Sequence, residues 1–147
     1  MPSLQDRLSA ELITARKAQD KPLTLLLGTI LSDIRNREIE LRRTPTDDEV
    51  IEVMRKGVKK RRESIAMYTQ AGRTELAAQE TAEVAALERF LPAVATDDEI
   101  RTAVRATFAA GANGVGPVMA KVMALFKGRA DGGTINRIVR EELGKAE

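Results

Sequence analysis

The sequence predicts an all-α protein, and three observations carry that prediction. Apolar residues recur at three- and four-residue spacing nearly throughout, β-branched residues occur only in scattered runs, and two capping boxes, Thr46 with Glu49 and Thr96 with Glu99, mark helix starts. The pattern divides into a two-lobed multihelical fold, with a four-helix N-terminal lobe over 1–92 and a three-helix C-terminal lobe over 96–147. The joint falls at Pro92–Ala95, and no internal repeat or low-complexity segment is present.

Ser3 caps a first helix that carries Leu4, Leu8 and Leu12 on one stripe and ends near Asp20. Asp20 and Pro22 open the second, whose buried face holds Leu23, Leu27, Ile30, Ile34 and Leu41 and which stops before Pro45. The first capping box starts a third helix running from about Asp47 to Ala71, closed by Gly72. Thr74 caps the fourth, which reaches Leu91 and is stopped by Pro92.

The second capping box opens a fifth helix ending near Gly111, after which Ala112–Gly116 reads as a loop. Pro117 begins a sixth carrying Val118, Val122 and Leu125 up to Gly128. Asp131 caps the last, which carries Ile135, Ile138, Val139 and Leu143.

Composition narrows the function. The chain of 147 residues has no His and no Cys, which excludes Cys-His zinc sites, thiol nucleophiles, imidazole bases and disulfides. Three Phe, one Tyr and no Trp argue against an aromatic platform for stacked bases. With 24 basic and 22 acidic residues the net charge is only +2, so an anionic partner has to be argued from where the charges sit. The most apolar stretch, Leu23–Leu31, contains Thr24, Gly28 and Thr29 and is too short to span a bilayer, and Arg7 and Glu11 interrupt the first turns. No membrane association and a cytoplasmic location are therefore expected.

On a helical wheel Arg61 falls among the apolar residues of the third helix, and Glu80 and Glu83 fall among those of the fourth. In an antiparallel hairpin about Gly72, Arg61 and Glu83 stand eleven positions either side of the turn, which predicts a semi-buried ion pair with Glu80 nearby. The Glu80–Glu83 spacing also suits acid–base work or a hard cation, but no base or nucleophile accompanies it. No catalytic residue, metal site or cofactor is assigned. Asp47-Asp48-Glu49 and Asp97-Asp98-Glu99 are read as first-turn acids favoured by the helix dipole.

Six of the eight residues from Arg55 to Arg62 are basic, and Arg35, Arg37, Arg42 and Arg43 precede them. Arg55, Lys56, Lys59 and Lys60 form a candidate phosphate-backbone footprint, with a solvated face balanced by Glu49, Glu52 and Glu63 as the competing reading. The second candidate is Lys121, Lys127 and Arg129 beside the glycines of 128–133, where free backbone N–H groups could meet an anion. The competing reading there is a plain helix corner, with Gly128 ending one helix and Asp131 capping the next.

The stretches Asn36-Arg37-Glu38-Ile39-Glu40, Thr46–Ile51, Lys59–Ile65, Tyr68, Ala71-Gly72-Arg73, Glu80, Glu83 and Leu91-Pro92 resemble the YqeY-like proteins. Met119–Met123 and Gly128–Gly132, with Asn136 and Val139, resemble the motif shared with the carboxyl-terminal tail of the B subunit of tRNA-dependent glutamine amidotransferase, that is, the GatB/YqeY superfamily. The resemblance covers nearly the whole chain and departs at Ala120, where Gly is usual, and around Gly28, where an Arg is usual. It implies an all-helical two-lobed fold and tRNA contact by the small lobe, where Lys121, Lys127 and Arg129 are the candidate phosphate ligands. The amidotransferase's catalytic region has no counterpart here, so a carbon-nitrogen ligase label with glutamine as amido-N-donor would be inherited from the superfamily. The alternative partner is an amidotransferase or other translation-related protein, docked without RNA.

Overall fold

The structure, a computed structural model, describes residues 1–146, and these form seven α-helices and no strand. They are α1 (Leu4–Lys17), α2 (Lys21–Leu41), α3 (Asp47–Gln70), α4 (Thr74–Glu88), α5 (Asp97–Ala109), α6 (Val115–Leu125) and α7 (Gly132–Ala146). The all-α class is as expected from the spacing of apolar residues. The helices group into two compact units, Met1–Leu91 and Pro92–Glu147.

In the first unit the caps work as local chemistry dictates. Ser3 Oγ accepts from the Asp6 amide, Asp20 Oδ1 from the Leu23 amide, and Thr46 and Glu49 exchange both bonds of a capping box. The first helix ends at Lys17 rather than near Asp20, because Gln19 turns into the left-handed region at φ 56 and frees Asp20 to cap α2. Thr74 is the first residue of α4 and not its cap: the chain turns through Gly72 at φ 72, the Arg73 amide bonds to the Tyr68 carbonyl, and Arg73 takes the cap position without a side-chain bond. The same helix ends at Glu88 instead of Leu91. Phe90 and Leu91 donate to carbonyls three residues back, a tightening that follows from Pro92 disfavouring helical geometry at Leu91.

The core of this unit is built on Leu8, Leu27, Ile30, Ile34, Met54 and Leu87, all without measurable exposure. Each contributes roughly 1.5–3 kcal/mol by leaving water. Leu41, expected on the buried face of α2, is only half-buried where the helix gives way to the left-handed Arg42.

The second unit packs α7 against both α5 and α6 around Ile100, Val104, Val118, Val122, Ile135, Ile138 and Val139. The sixth helix starts at Val115, two residues before Pro117. A proline in the first turn lacks an N–H that has no helical partner there, so it does not mark the first residue. Leu125 was expected inside and is 64% exposed; Phe126, at the end of the helix, is buried in its place. Leu143 is half-buried, and its neighbour Glu142 is the more enclosed of the two. Among the described residues no helix is long and apolar enough to cross a membrane.

Candidate nucleic-acid interface

In the second unit Lys121 lies on the exposed side of α6 and Lys127 is exposed just beyond its end. No acidic residue occurs between Glu99 and Asp131, and Asp131 stands four residues beyond Lys127. Their α6 neighbours Met123 and Leu125 are 45% and 64% exposed. Val118 and Val122 are buried and anchor the helix in the core.

Arg129 is differently placed. Its Nε donates to the Ala93 carbonyl at 3.1 Å, its Nη2 to Glu99 Oε2 at 3.2 Å, and its guanidinium lies 5.7 Å from the centroid of the Phe126 ring. The Ala95 amide donates to its carbonyl at 2.8 Å. Arg129 thus fastens the turn after α6 to the segment before α5, and much of its charge meets Glu99. The amino terminus of α7 is also occupied: Asp131 Oδ1 accepts from the Thr134 amide at 2.7 Å. The glycine turn is the helix corner, with Gly128 at φ 77 ending one helix and Asp131 capping the next.

The same unit holds an ionic cluster that wheel inspection did not single out. Glu142 is 6% exposed and accepts from Arg101 Nη1 at 3.0 Å, Arg105 Nε at 2.9 Å and Lys145 Nζ at 3.3 Å. Hydrogen bonds from Arg105 and Arg101, in that order, hold its pKa down at about 2. The signal was present: Glu142 follows Ile135, Ile138 and Val139 at seven, four and three residues, so it shares their face.

In the first unit part of the basic run of α3 turns to α4 and part stays exposed. Arg61 Nε donates to Glu83 Oε2 at 3.1 Å and its Nη1 to the Gly57 carbonyl at 3.1 Å. Arg62 donates to Glu88 on the same side, and burial lowers the Arg55 pKa against the opposing pull of Glu88. Glu80 sits beside Glu83, and its carboxyl pKa is raised, first by burial and then by that like charge. Lys56, Lys59 and Lys60 remain exposed. No group of three or more acidic residues able to hold a metal ion occurs among the described residues.

A family model described as Yqey-like protein matches residues 5–143. A protein of Schizosaccharomyces pombe, named as uncharacterized, is 30% identical over 92 residues, covering 63% of this chain and 75% of its own length. A protein of Pyrenophora tritici-repentis named Altered inheritance of mitochondria protein 41, mitochondrial, is 27% identical over 144 residues, covering 94% of this chain and 80% of its own.

Proposed function

The chain belongs to the YqeY-like family, and from that premise we propose that it is an accessory factor that contacts tRNA by shape and phosphate, without an active site of its own. The observation that carries the reading is the exposure of two lysines, Lys121 on α6 and Lys127 just beyond its end, in the second unit. Lysine near a phosphate displaces condensed counterions, so such a surface binds RNA without reading its sequence. The similarity of Met119–Met123 and Gly128–Gly132 to the amidotransferase tail supports the same assignment. In this reading the 96–147 lobe is the RNA-contacting domain, Arg129 shapes the surface while lending part of its charge, and Arg55, Lys56, Lys59 and Lys60 on the 1–92 lobe form a second basic surface. A cytoplasmic location belongs to this proposal, and fractionation of the source cells tests it.

Titration of total tRNA against the full chain at several salt concentrations tests the function. Affinity is expected to fall steeply with salt. Changing Lys121 and Lys127 together to Ala should reduce the slope of log K against log salt by about 2, at about 0.9 per phosphate contact. An unchanged slope removes the site assignment, and no saturable binding at low salt removes the RNA reading.

The exposed Met123 and Leu125 beside those lysines favour one alternative, docking on an amidotransferase or another translation-related protein. A complex insensitive to salt and weakened by Leu125→Ser would select it.

A further inference from the structure

An open groove of about 290 Å³ runs between α2 and α3 in the first unit. One wall carries Asp33, Asn36, Arg37 and Glu40; the other carries Val53, Lys56, Gly57 and Lys60. Arg37 is tied to Glu40 at 3.0 Å along its own helix. Lys56 and Lys60 stand one turn apart on α3, an arrangement in which like charges repel and which an anion between them relieves. Neither lysine forms an ion pair with Asp33 or with Glu40, the two carboxylates on these walls, among the described residues, and the Glu40 carboxylate is engaged by Arg37. The groove therefore offers two ammonium groups and a carboxamide to an anion, a carboxylate acceptor to hydroxyl donors, and the Val53 side chain as an apolar surface. Its volume lies just below the range for ligand pockets, about 300–1,000 Å³, as suits a single small ligand.

We propose that this groove binds a ribonucleotide unit, with the phosphate on Lys56, Lys60 and Asn36 and the ribose hydroxyls donating to Asp33. A ribonucleotide carries the anion and the vicinal hydroxyls that this set of groups matches, and ribose recognition by a carboxylate is a general device of nucleotide sites. No aromatic side chain lines the groove, so the base is not selected by stacking. The unit is either a free nucleotide or one residue of an RNA strand. This deepens the reading above at its second basic surface, to which Lys56 and Lys60 belong, and it is tested apart from Lys121 and Lys127 because the groove lies in the first unit.

The test is a backbone-amide NMR titration of the full chain with adenosine 5′-monophosphate, 2′,3′-dideoxyadenosine 5′-monophosphate, inorganic phosphate and an oligouridine octamer. Adenosine monophosphate is expected to shift the amides around Asn36, Lys56 and Lys60. Lys56→Ala with Lys60→Ala, both exposed positions that leave the core intact, should weaken it at least tenfold. Asp33→Asn should weaken adenosine monophosphate severalfold while leaving inorganic phosphate unchanged, and the dideoxy analogue should be insensitive to Asp33→Asn. An octamer that binds the groove at least tenfold more tightly than the mononucleotide identifies an RNA strand as the source; equal affinity identifies a free nucleotide. Absence of shifts at the groove with every probe, or shifts indifferent to the double lysine variant, overturns the proposal. Equal response of phosphate, dideoxy and ribo ligands overturns its ribose part. The Lys121→Ala, Lys127→Ala variant should keep the groove shifts, so loss of tRNA binding there concerns the second unit alone.

Discussion

Replacing Arg61 and Glu83 singly and together measures how far the α3–α4 hairpin depends on the ion pair between its helices. The Arg61 side chain is 14% exposed and that of Glu83 24%, with Nε and Oε2 3.1 Å apart. Breaking a fully buried pair costs about 3–5 kcal/mol, and a solvated pair is worth about 0–1 kcal/mol, so this partly buried one falls between. Arg61→Met removes the bonds to Glu83 and to the Gly57 carbonyl and leaves a carboxylate beside Glu80, whose own ionisation is already disfavoured. A loss of about 2 kcal/mol is expected. Glu83→Gln keeps an acceptor and leaves Arg61 its carbonyl partner, for a loss of about 1 kcal/mol. The double variant lacks both charges and should lose about 1.5 kcal/mol, a coupling of about 1.5 kcal/mol. Urea unfolding followed by circular dichroism, extrapolated to water, reads all four proteins. Losses that add to within about 0.5 kcal/mol would refute the argument, since the helices would then be held without the pair.

The pKa of Glu142 lies at about 2 in the folded chain, below the ordinary 4.5, so its ion pairs stabilise the fold fully above pH 4.5 and that contribution is lost as pH falls toward 2. Glu142→Gln should lower stability at neutral pH and flatten the urea midpoint across this window; an unchanged profile means the pairs contribute nothing. Asp47→Ala should cost about 1 kcal/mol in thermal melts, because Asp47 Oδ1 accepts from the Leu4 amide at 2.9 Å and joins the start of α1 to the start of α3; an unchanged melting temperature would refute it. Ile138→Ala removes a side chain with no exposure and should destabilise the second unit by about 2–5 kcal/mol in urea, with a loss under 1 kcal/mol contradicting its place in the core.

Helix number, order and most starts were legible in the sequence because each rests on groups a few residues apart. A threonine hydroxyl reaching the third amide of its own helix needs no partner from elsewhere, so Thr46 and Thr96 mark α3 and α5 before any packing is known. The apolar stripes Leu4–Leu8, Leu27–Ile30–Ile34 and Ile135–Ile138–Val139 define buried faces for the same reason of periodicity. Helix ends were less legible: α1 and α4 stop three residues early, where backbone conformation at Gln19 and the tightening before Pro92 decide the matter.

What the charged residues do was decided by tertiary structure. Arg129, read as a phosphate ligand, is held by Glu99 thirty residues away and by the Ala93 carbonyl, and Asp131 closes the helix terminus that its glycines might have offered to an anion. Asp47, legible only as a first-turn acid, also caps a different helix. Gly57 looks like a weak point within α3, yet a Cβ there would stand 3.2 Å from both Ile30 and Arg61, so its absence makes room for the core and for the ion-pairing arginine. By itself the sequence determined where helices form and which sides of them avoid water, since those follow from neighbours along the chain. Only the tertiary structure decided which charges are spent on the protein and which face outward, because a charge is neutralised by whatever group folding brings within hydrogen-bond distance.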